Sequence, residues 1–294
     1  MKRSLISTLL AAVAILGGTL APMTLSAATP IADELKIGGF AVGPQAYSFR
    51  FFTLFEAIDK TAQTGSRVIE LGTGLKLSPE RQDVFNHESS DEMIGIVQAK
   101  LKEKGIRALN YGVVAIPQDE AKARRIFDFA KKMDLPAIIT ESIDALDTIE
   151  KLAKEYDIRV GIHQHARKPN DPSYKIWEPA YVRSLVEKRD RRLGACADIG
   201  HWLTSGIKPI DGLKTLEGRV ISLHMKDRAA LGPNNHDVVF GTGVADIGGV
   251  LAELRRQNFS GNIAVEYEFN WHHSVPDIAQ CIGFIRGWAA GQKK

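Results

Sequence analysis

The segment CADIGHW, residues 196 to 202, places Asp198 and His201 at the end of an apolar run that has the composition of a buried strand. A carboxylate or an imidazole costs free energy in such a place unless another group pairs with it. The explanation must therefore lie in the segments that meet this one in the fold. Along the rest of the chain, short runs of β-branched residues alternate with amphipathic stretches of helical period.

This alternation predicts eight strands separated by helices. The predicted strands are residues 42–49, 67–71, 107–113, 137–141, 159–165, 193–198, 220–226 and 262–268. The predicted helices are residues 54–63, 91–103, 120–133, 145–156, 179–188, 209–216, 247–257 and 277–288. Eight strand–helix units in this length match an α/β fold, the (β/α)8 TIM barrel, whose active site lies at the carboxyl ends of the strands. A doubly wound open sheet alternates in the same way, but no Gly-rich phosphate fingerprint follows the first strand.

The first 28 residues have the pattern of a secretory signal peptide. Lys2 and Arg3 precede an apolar run, and Ser26-Ala27-Ala28 has the small residues of a cleavage site. An uncleaved membrane anchor is the alternative, but the uninterrupted apolar core is shorter than the ~20 residues of a spanning helix. We therefore predict residues 1–28 as a signal peptide, residues 29–294 as a single TIM-barrel domain, and export to the periplasm in a host with two membranes.

The net charge limits the classes of binding partner, and the positions of the two cysteines argue against a disulfide. Removal of residues 1–28 lowers the formal charge from +3 to +1, which argues against nucleic acid and, after signal cleavage, against a membrane surface as partner. A small-molecule substrate is the expected partner, and the sequence leaves open whether the chain forms a homo-oligomer. Cys196 belongs to a strand and Cys281 to a helical pattern, so we expect no disulfide between them.

Acidic and imidazole side chains gather at the ends of successive predicted strands. Alternation along a strand places His163 with His165, His224 with Lys226, and Glu266 with Glu268 on common faces. The group at the strand ends comprises Glu70, Glu141, His163, His165, Asp198, His201, His224, Lys226, Glu266 and Glu268. A single strand-end residue such as Glu70 or Glu268 could equally cap a loop or form a salt bridge. So many acids around one axis cannot all stay ionised without a counter-charge, and a divalent metal ion supplies it. Mixed His and carboxylate ligands favour Mn²⁺, Co²⁺, Zn²⁺ or Fe²⁺ over Ca²⁺.

Four segments carry a resemblance to a known family. ADIGHW (197–202), SLHMKD (222–227), NHDVVFGTG (235–243) and AVEYE (264–268) resemble the xylose isomerase-like TIM-barrel superfamily, which includes sugar phosphate isomerases and epimerases and endonuclease IV. The likeness covers residues 40–290. In epimerases of this kind, Glu, Asp, His and Glu from successive strands hold one divalent ion, and the resemblance assigns Asp198, His224 and Glu266 to that set.

The fifth strand departs from the family pattern. Family epimerases carry a ligating Glu there, in a Leu-Glu-x-His pattern, whereas this chain reads IHQH (162–165), with His163 in the place of the Glu. Glu141, at the end of the neighbouring strand, is a replacement carboxylate. The resemblance therefore implies Glu141, Asp198, His224 and Glu266 as metal ligands, with His163 as the alternative. The missing carboxylate also removes one of the two acid/base glutamates of such epimerases.

This site predicts a metal-dependent sugar isomerase or epimerase. A divalent ion that chelates a hydroxyketone favours proton abstraction next to the carbonyl, because it stabilises the metal-bound enediolate. The catalytic candidates are His163, His165 and His201, as bases that titrate near neutrality, and Lys226, as a stabiliser of the oxyanion. Loss of a β-leaving group from the same enediolate would instead make the protein an exported lyase of 3-keto-glycosides. Sugar phosphates are cytosolic, so a signal peptide suggests an oxidised sugar or a glycoside as substrate.

Other residues and classes remain open. Tyr47, Glu70, Trp202 and His236 are candidate substrate-binding residues near strand ends or in loops. A metal-free glycoside hydrolase could use Glu141 and Glu266 as acid and nucleophile. An endonuclease IV-like phosphodiesterase would require three metal ions and a basic groove, which the near-neutral charge disfavours. A non-catalytic sugar-binding protein would keep aromatic platforms and tolerate loss of the histidines.

Overall fold

The computed structural model describes residues 28–292, and eleven strands account for its sheets. The strands are β1 (Lys36–Ile37), β2 (Phe40–Pro44), β3 (Val68–Leu71), β4 (Arg107–Tyr111), β5 (Ala137–Thr140), β6 (Arg159–His163), β7 (Leu193–Asp198), β8 (Val220–Met225), β9 (Asp227–Arg228), β10 (Asp237–Val238) and β11 (Asn262–Val265). Nine of them form one sheet in the order β1-β2-β11-β8-β7-β6-β5-β4-β3. The pairs from β2 round to β3 are all parallel, and β1 adds an antiparallel edge to β2.

The two ends of this sheet meet and close a barrel. A parallel bridge joins Gln45, just after β2, to Glu70 in β3. The Ser66 hydroxyl donates to the carbonyl oxygens of Val42 (2.8 Å) and Val68 (2.9 Å) and so ties the strands together at the same seam. A Cβ on Gly43 would lie 1.9 Å from the Val68 carbonyl oxygen, so this close approach requires glycine. The predicted (β/α)8 TIM barrel is confirmed.

Nine α-helices among the described residues surround the barrel. Polar side chains begin several of them: Thr53 and Glu56 form a reciprocal capping box at the first, and Ser90 and Asp119 cap the next two. The helices are α1 (Leu54–Gln63), α2 (Asp91–Lys104), α3 (Glu120–Lys132), α4 (Leu146–Tyr156), α5 (Pro179–Val186), α6 (Ile199–Thr204), α7 (Pro209–Thr215), α8 (Ile247–Arg256) and α9 (Val275–Gly291), with 3₁₀ turns at Asp33–Leu35, Ala46–Phe49 and Ile143–Ala145. Within residues 28–292, no helix combines the length and apolarity needed to cross a membrane.

The apolar core fills the layer between strands and helices. Ile58 of α1, Val97 of α2 and Ile149 of α4 are fully buried against strand residues such as Ile69 and Ile138. Burial of a large aliphatic side chain contributes about 1.5–3 kcal/mol. This core packs the helices against the strands.

The amino-terminal segment runs across the opposite end of the barrel from the strand carboxyl ends. Arg107, the first residue of β4, donates to the carbonyl oxygen of Pro30 (2.7 Å) and also to that of Thr29. The Thr29 backbone N–H donates to Asp134, which lies just before β5 (2.8 Å). Residues 29 and 30 are therefore attached to the face where the strands begin.

Several predicted elements need correction. The first strand was predicted over 42–49, but it ends at Pro44, because the chain turns into a 3₁₀ helix at Ala46. Most other predicted strands end one to three residues earlier in the structure, and β1, the hairpin β9–β10 and α6 were not predicted. Cys196 and Cys281 are buried and free, as expected. The predicted signal peptide lies outside the described residues, apart from Ala28.

Candidate metal centre and active site

A cavity of about 380 Å³ opens at the carboxyl ends of the barrel strands. This volume lies within the range of small-molecule sites, ~300–1,000 Å³. Segments that follow the strands line it, and the glycine-rich segment 72–74 is one of them. The residues around it include Gln45, Tyr47, Arg50, Glu141, His163, His165, His201, Glu266 and Glu268.

Four residues from four neighbouring strands converge below this cavity, and we call them the four-residue group. His163 ends β6, Asp198 ends β7, His224 lies in β8, and Glu266 directly follows β11. One potential ligand atom from each lies within 4.8 Å of the others, and all four side chains are buried. The convergence follows from parallel neighbouring strands, whose last inward-pointing residues share one level of the barrel.

The donor atoms of this group fit a divalent cation. His163 Nε2, His224 Nδ1 and Glu266 Oε2 are buried and have no hydrogen-bond partner among the described residues. His224 Nδ1 lies 3.1 Å from Glu266 Oε2, and His163 Nε2 lies 3.5 Å from Asp198 Oδ2. A buried polar atom left unsatisfied costs about 1–3 kcal/mol. Two imidazoles and two carboxylates are ligands that Mn²⁺, Co²⁺, Zn²⁺ or Fe²⁺ accepts.

Each of the two imidazoles is oriented from behind by a carboxylate. Glu141 accepts a hydrogen bond from His163 Nδ1 (2.9 Å), and the Tyr174 hydroxyl donates to the other Glu141 oxygen (3.3 Å). Glu70 pairs with His224 Nε2 (2.7 Å) and is fully buried. Carboxylates behind metal-binding histidines fix the ring and its tautomer, so this arrangement is typical of a metal centre.

Lys226 lies against the carboxylates of the four-residue group. Its Nζ is 2.8 Å from Asp198 Oδ2 and 2.6 Å from both Glu266 Oε2 and Glu268 Oε1, although only the contact with Asp198 has the angles of a hydrogen bond. Burial alone would lower the pKa of Lys226, but the charges of these carboxylates outweigh it and hold the pKa well above the lysine range. The ammonium is therefore charged at neutral pH and neutralises part of the acidic cluster.

The same charges act on the acids and on His224. Burial would raise the pKa of Glu266, but Lys226 and His224 hold it well below its usual range. Burial would lower the pKa of His224, but its acidic neighbours, among them Glu70 and Glu266, raise it well above the usual range. The carboxylates are thus ionised, as metal ligands must be, and a bound ion would displace the proton that these charges favour on His224.

Two histidines form the polar wall of the cavity above the group. The rings of His165 and His201 lie 4.1 Å apart between centroids. The His201 backbone N–H donates to Asp198 Oδ1 (2.8 Å), because Asp198 caps the amino end of α6. Burial lowers the pKa of His201 well below its usual range, and this effect outweighs the opposing charge of Asp198. His201 is therefore neutral near pH 7 and can accept a proton.

The structure separates the predicted ligands and catalytic candidates by position. Asp198, His224 and Glu266 lie together as expected, but His163 and not Glu141 completes the four-residue group. Glu141 lies at the cavity wall and contacts the group through His163. His163, His165, His201 and Lys226 all lie in or beside the group, and their roles as bases or oxyanion stabilisers stay predictions.

The predicted substrate-binding residues are more scattered. Tyr47 lines the cavity, on a 3₁₀ turn and not on the strand expected for it. Trp202 is fully buried and packs against Gly212 of α7, so its prediction as a substrate contact is wrong. Glu70 lies beneath the cavity and contacts His224, Asn110 and Asn262. His236 packs on Phe269 at 4.4 Å between ring centroids and does not line the cavity.

The cavity is completed by Glu268, to which the sequence analysis gave no role, and by two residues that it did not name. Glu268 lines the cavity and contacts Lys226. Its spacing of two residues from Glu266 is consistent with this position. Gln45 and Arg50 also line it, on the turn after β2. Arg50 stands six residues beyond the end of the strand, so strand parity gave no signal for it.

The family comparison matches residues 58–286 of the chain to the xylose isomerase-like TIM barrel. The chain belongs to this family. The predicted resemblance is thereby confirmed. This xylose isomerase-like barrel is similar to solved structures of the same architecture. No curated protein sequence matches it.

Solved structures share the fold over most of their length. A putative uncharacterized protein from Parabacteroides distasonis is 29% identical, with a TM-score of 0.68 over 85% of this chain and 99% of that one. A D-tagatose 3-epimerase-like protein is 15% identical, with a TM-score of 0.66 over 85% and 97%. A D-psicose 3-epimerase, solved in the presence of D-fructose, is 16% identical, with a TM-score of 0.60 over 86% and 98%. At these identities the two epimerase structures are evidence about the fold.

Proposed function

We propose that this protein is a divalent-metal-dependent sugar isomerase or epimerase that abstracts a proton next to a carbonyl. The convergence of His163, Asp198, His224 and Glu266 below a cavity with two further histidines carries the proposal. These four residues would hold the ion. When bound, a divalent ion supplies Lewis acidity that stabilises negative charge developing on a carbonyl oxygen.

The residues of the chain supply the proton transfer. His201, neutral because of its burial, accepts the proton from the carbon next to the carbonyl. His165, whose ring lies 4.1 Å from His201 between centroids, is placed to return a proton to the same or the neighbouring carbon. Lys226 holds Asp198 and Glu266 in position and keeps positive charge near the developing oxyanion.

A carbohydrate is the proposed substrate class. The cavity is lined by hydrogen-bonding groups together with Tyr47 and Leu75, which suits a hydroxylated ring. The names of the two epimerase structures, which refer to tagatose and psicose, support a ketose-like substrate. We also propose that the chain is exported and acts in the periplasm, on the pattern of residues 1–28.

Elimination from a 3-keto-glycoside is the second candidate. The observation in its favour is the replacement of the family's fifth-strand glutamate by His163, which leaves the cavity with two histidines as proton carriers. His201 can remove the proton, and His165 beside it can pass a proton to the departing β-leaving group.

Deuterium exchange and aglycone release separate the two. The purified protein is first assayed for bound metal and then incubated in D₂O with ketoses and, separately, with 3-keto-glycosides. Deuterium uptake without release supports the isomerase, release abolished by EDTA supports the lyase, and release that survives EDTA supports a metal-free hydrolase. His224→Ala should lose the ion and all turnover, whereas His273→Ala, an exposed histidine outside the cavity, should keep both. Full activity of His224→Ala would contradict the proposed metal centre.

A further inference from the structure

The active-site cavity continues into a second depression on the outer surface. Arg50, Gly74 and Leu75 line both spaces. The second space has a volume of about 360 Å³, and Phe51, Phe52 and Lys76 complete much of its wall. We call it the outer chamber. Its volume is nearly that of the cavity above the four-residue group. The combined volume of the two spaces therefore exceeds the volume that one reacting centre requires.

Two aromatic rings, Phe51 and Phe52, line the outer chamber, and Tyr47 lines the adjoining cavity. Phe51 is 54% exposed, Tyr47 is 40% exposed, and both lie on the turn between β2 and α1. Trp271 packs edge-on against both, at 5.7 Å from Tyr47 and 5.9 Å from Phe51 between ring centroids. A single exposed aromatic side chain needs no explanation, whereas a contiguous cluster beside a cavity marks a binding surface.

Arg50 stands between the two spaces. Its guanidinium lies 4.9 Å from the Tyr47 ring centroid and 5.2 Å from those of Phe51 and Trp271. Among the described residues, the guanidinium makes one hydrogen bond, to the Tyr47 hydroxyl (2.6 Å). Because arginine has five N–H donors, most of them remain for a ligand. The stacked rings hold the guanidinium in place, so these donors are pre-oriented.

Flat apolar faces with donors at one edge suit a six-membered ring that carries oxygen substituents. Sugar rings present C–H faces and aryl rings present π faces, and both pack on aromatic side chains while their linking oxygen accepts a hydrogen bond. Glu56, the acid at this chamber, already accepts hydrogen bonds from Thr53, so it adds no demand for a cationic ligand.

We propose that the outer chamber is a subsite for a second ring, joined through a glycosidic oxygen to the sugar that occupies the active-site cavity. The inference rests on the proposed function, and it defines the substrate class as two-ring glycosides, with either a second sugar or an aryl group as the outer ring. Phe51, whose ring is backed by that of His272 at 5.2 Å between centroids, provides the apolar wall for the second ring, and Arg50 contacts the linking oxygen.

Calorimetric titration of the metal-loaded protein tests this assignment. The probes are matched sets built on glucose, galactose and xylose, each as the methyl glycoside, the corresponding β-linked disaccharide and the 4-nitrophenyl glycoside. In at least one set, a two-ring probe should bind at least tenfold more tightly than the methyl glycoside. Preference for the disaccharide assigns a sugar to the chamber, and preference for the nitrophenyl glycoside assigns an aryl group.

Two variants decide whether the chamber is responsible. Phe51→Ala should remove the advantage of the two-ring probe and leave metal content and affinity for the methyl glycoside within twofold. Leu231→Ala, an equally exposed apolar residue in the β9–β10 hairpin, should change neither. If no set shows a two-ring advantage, or if the advantage survives in Phe51→Ala, the subsite is wrong. Failure of the proposed function would appear separately, as absence of bound metal and of deuterium exchange.

Discussion

His163 is the residue at which the proposed metal centre departs from the family pattern. Its Nε2 is buried without a hydrogen-bond partner among the described residues, while its Nδ1 contacts Glu141. An imidazole in this place replaces a negative ligand by a neutral one. A negative charge remains near the site, because the Glu141 carboxylate lies directly behind the His163 ring. Glu141 acts on the site through that ring.

The two residues should therefore respond differently to substitution. His163→Ala removes a proposed ligand, so we expect stoichiometric metal binding to be lost. Glu141→Gln keeps a hydrogen-bonding group behind the ring and should weaken the metal Kd by about 10–100-fold. Metal content after dialysis and competition with a chelating dye measure both. A Glu141→Gln protein without metal, beside a His163→Ala protein that retains it, would reverse the assignment.

Lys226 competes with the proposed ion for the same oxygen atoms. Asp198 Oδ2 and Glu266 Oε2 each lie within 2.8 Å of its Nζ. Two unit charges about 4 Å apart interact by about 4 kcal/mol at an effective dielectric constant of about 20. Lys226→Met should therefore bind Mn²⁺ at least about tenfold more tightly, a change of about 1.4 kcal/mol.

The same variant should lose stability when the ion is removed, because Asp198, Glu266 and Glu268 then lack their counter-charge. Calorimetric titration with Mn²⁺ and the Tm in EDTA check the two effects. Lys168→Met, in the exposed loop after β6, provides the matched control and should change neither quantity. Weaker Mn²⁺ binding by Lys226→Met would show that Lys226 supports the ion.

Strand parity explains which site residues the sequence could locate. Asp198 and His224 lie within strands, where alternation fixes the face of each side chain, and both reach the expected place. Glu141 does not, because β5 ends at Thr140 and the chain turns into a 3₁₀ helix at Ile143. A carboxylate on a turn has no parity, so the predicted strand end at Glu141 did not fix where its side chain lies.

At the level of elements, the short helix α6 shows the same limit. Asp198 is both the last residue of β7 and the cap of α6, so the side-chain period changes from 2 to 3.6 at that residue. His201 turns toward the cavity, and Trp202, about 100° further round the helix, turns into the core. If the two-residue period of a strand is continued past Asp198, Trp202 is therefore expected to face the cavity, although it lies in the core.

The hairpin β9–β10 and the loop after it are organised by one buried acid. Asp227 accepts hydrogen bonds from the backbone N–H groups of Gly241 (2.9 Å), Gly243 (3.0 Å) and Ala245 (2.9 Å). Asp227 therefore fixes the loop within the segment NHDVVFGTG and just beyond it. In the same hairpin, Asp237 accepts a bond from the Glu268 backbone N–H (2.7 Å) and so positions a cavity residue.

Asp227→Asn should destabilise the protein by about 2–4 kcal/mol, because the amide presents N–H donors to backbone donors and leaves buried groups unpaired. Chemical denaturation measures this change in the free energy of unfolding. Asp83→Asn, on an exposed loop, should change it by less than about 0.5 kcal/mol. Equal stabilities for the two variants would mean that the loop is held by other contacts.

At the level of the whole molecule, the four-residue group connects half of the barrel. Its members come from β6, β7, β8 and the end of β11, which are consecutive neighbours in the sheet. Order of strands in a sheet and number of units follow from the alternation of patterns along the chain, and both were predicted correctly. The close approach at Gly43, in the seam between β2 and β3, was not predicted, because no periodicity records it.

Because one ion would join four strands, metal binding should raise the stability of the whole barrel. A free ion concentration one hundred times the Kd adds about 2.7 kcal/mol to the native state. For a chain of this size, that corresponds to a rise in Tm of about 5–10 °C. Thermal unfolding with Mn²⁺, Co²⁺ or Zn²⁺ against EDTA measures the rise, and His224→Ala should abolish it. A Tm unchanged by all three ions would contradict a structural link between metal and fold.

The attachment of Thr29 and Pro30 to Arg107 and Asp134 has a practical consequence for how the molecule can be displayed. These contacts lie on the face where the strands begin, and the cavity and outer chamber open on the reverse face. A tether or carrier coupled ahead of residue 28 would therefore be joined at the back of the barrel. Immobilised in this orientation, the protein would present its entrance to the bulk solution, open to incoming molecules.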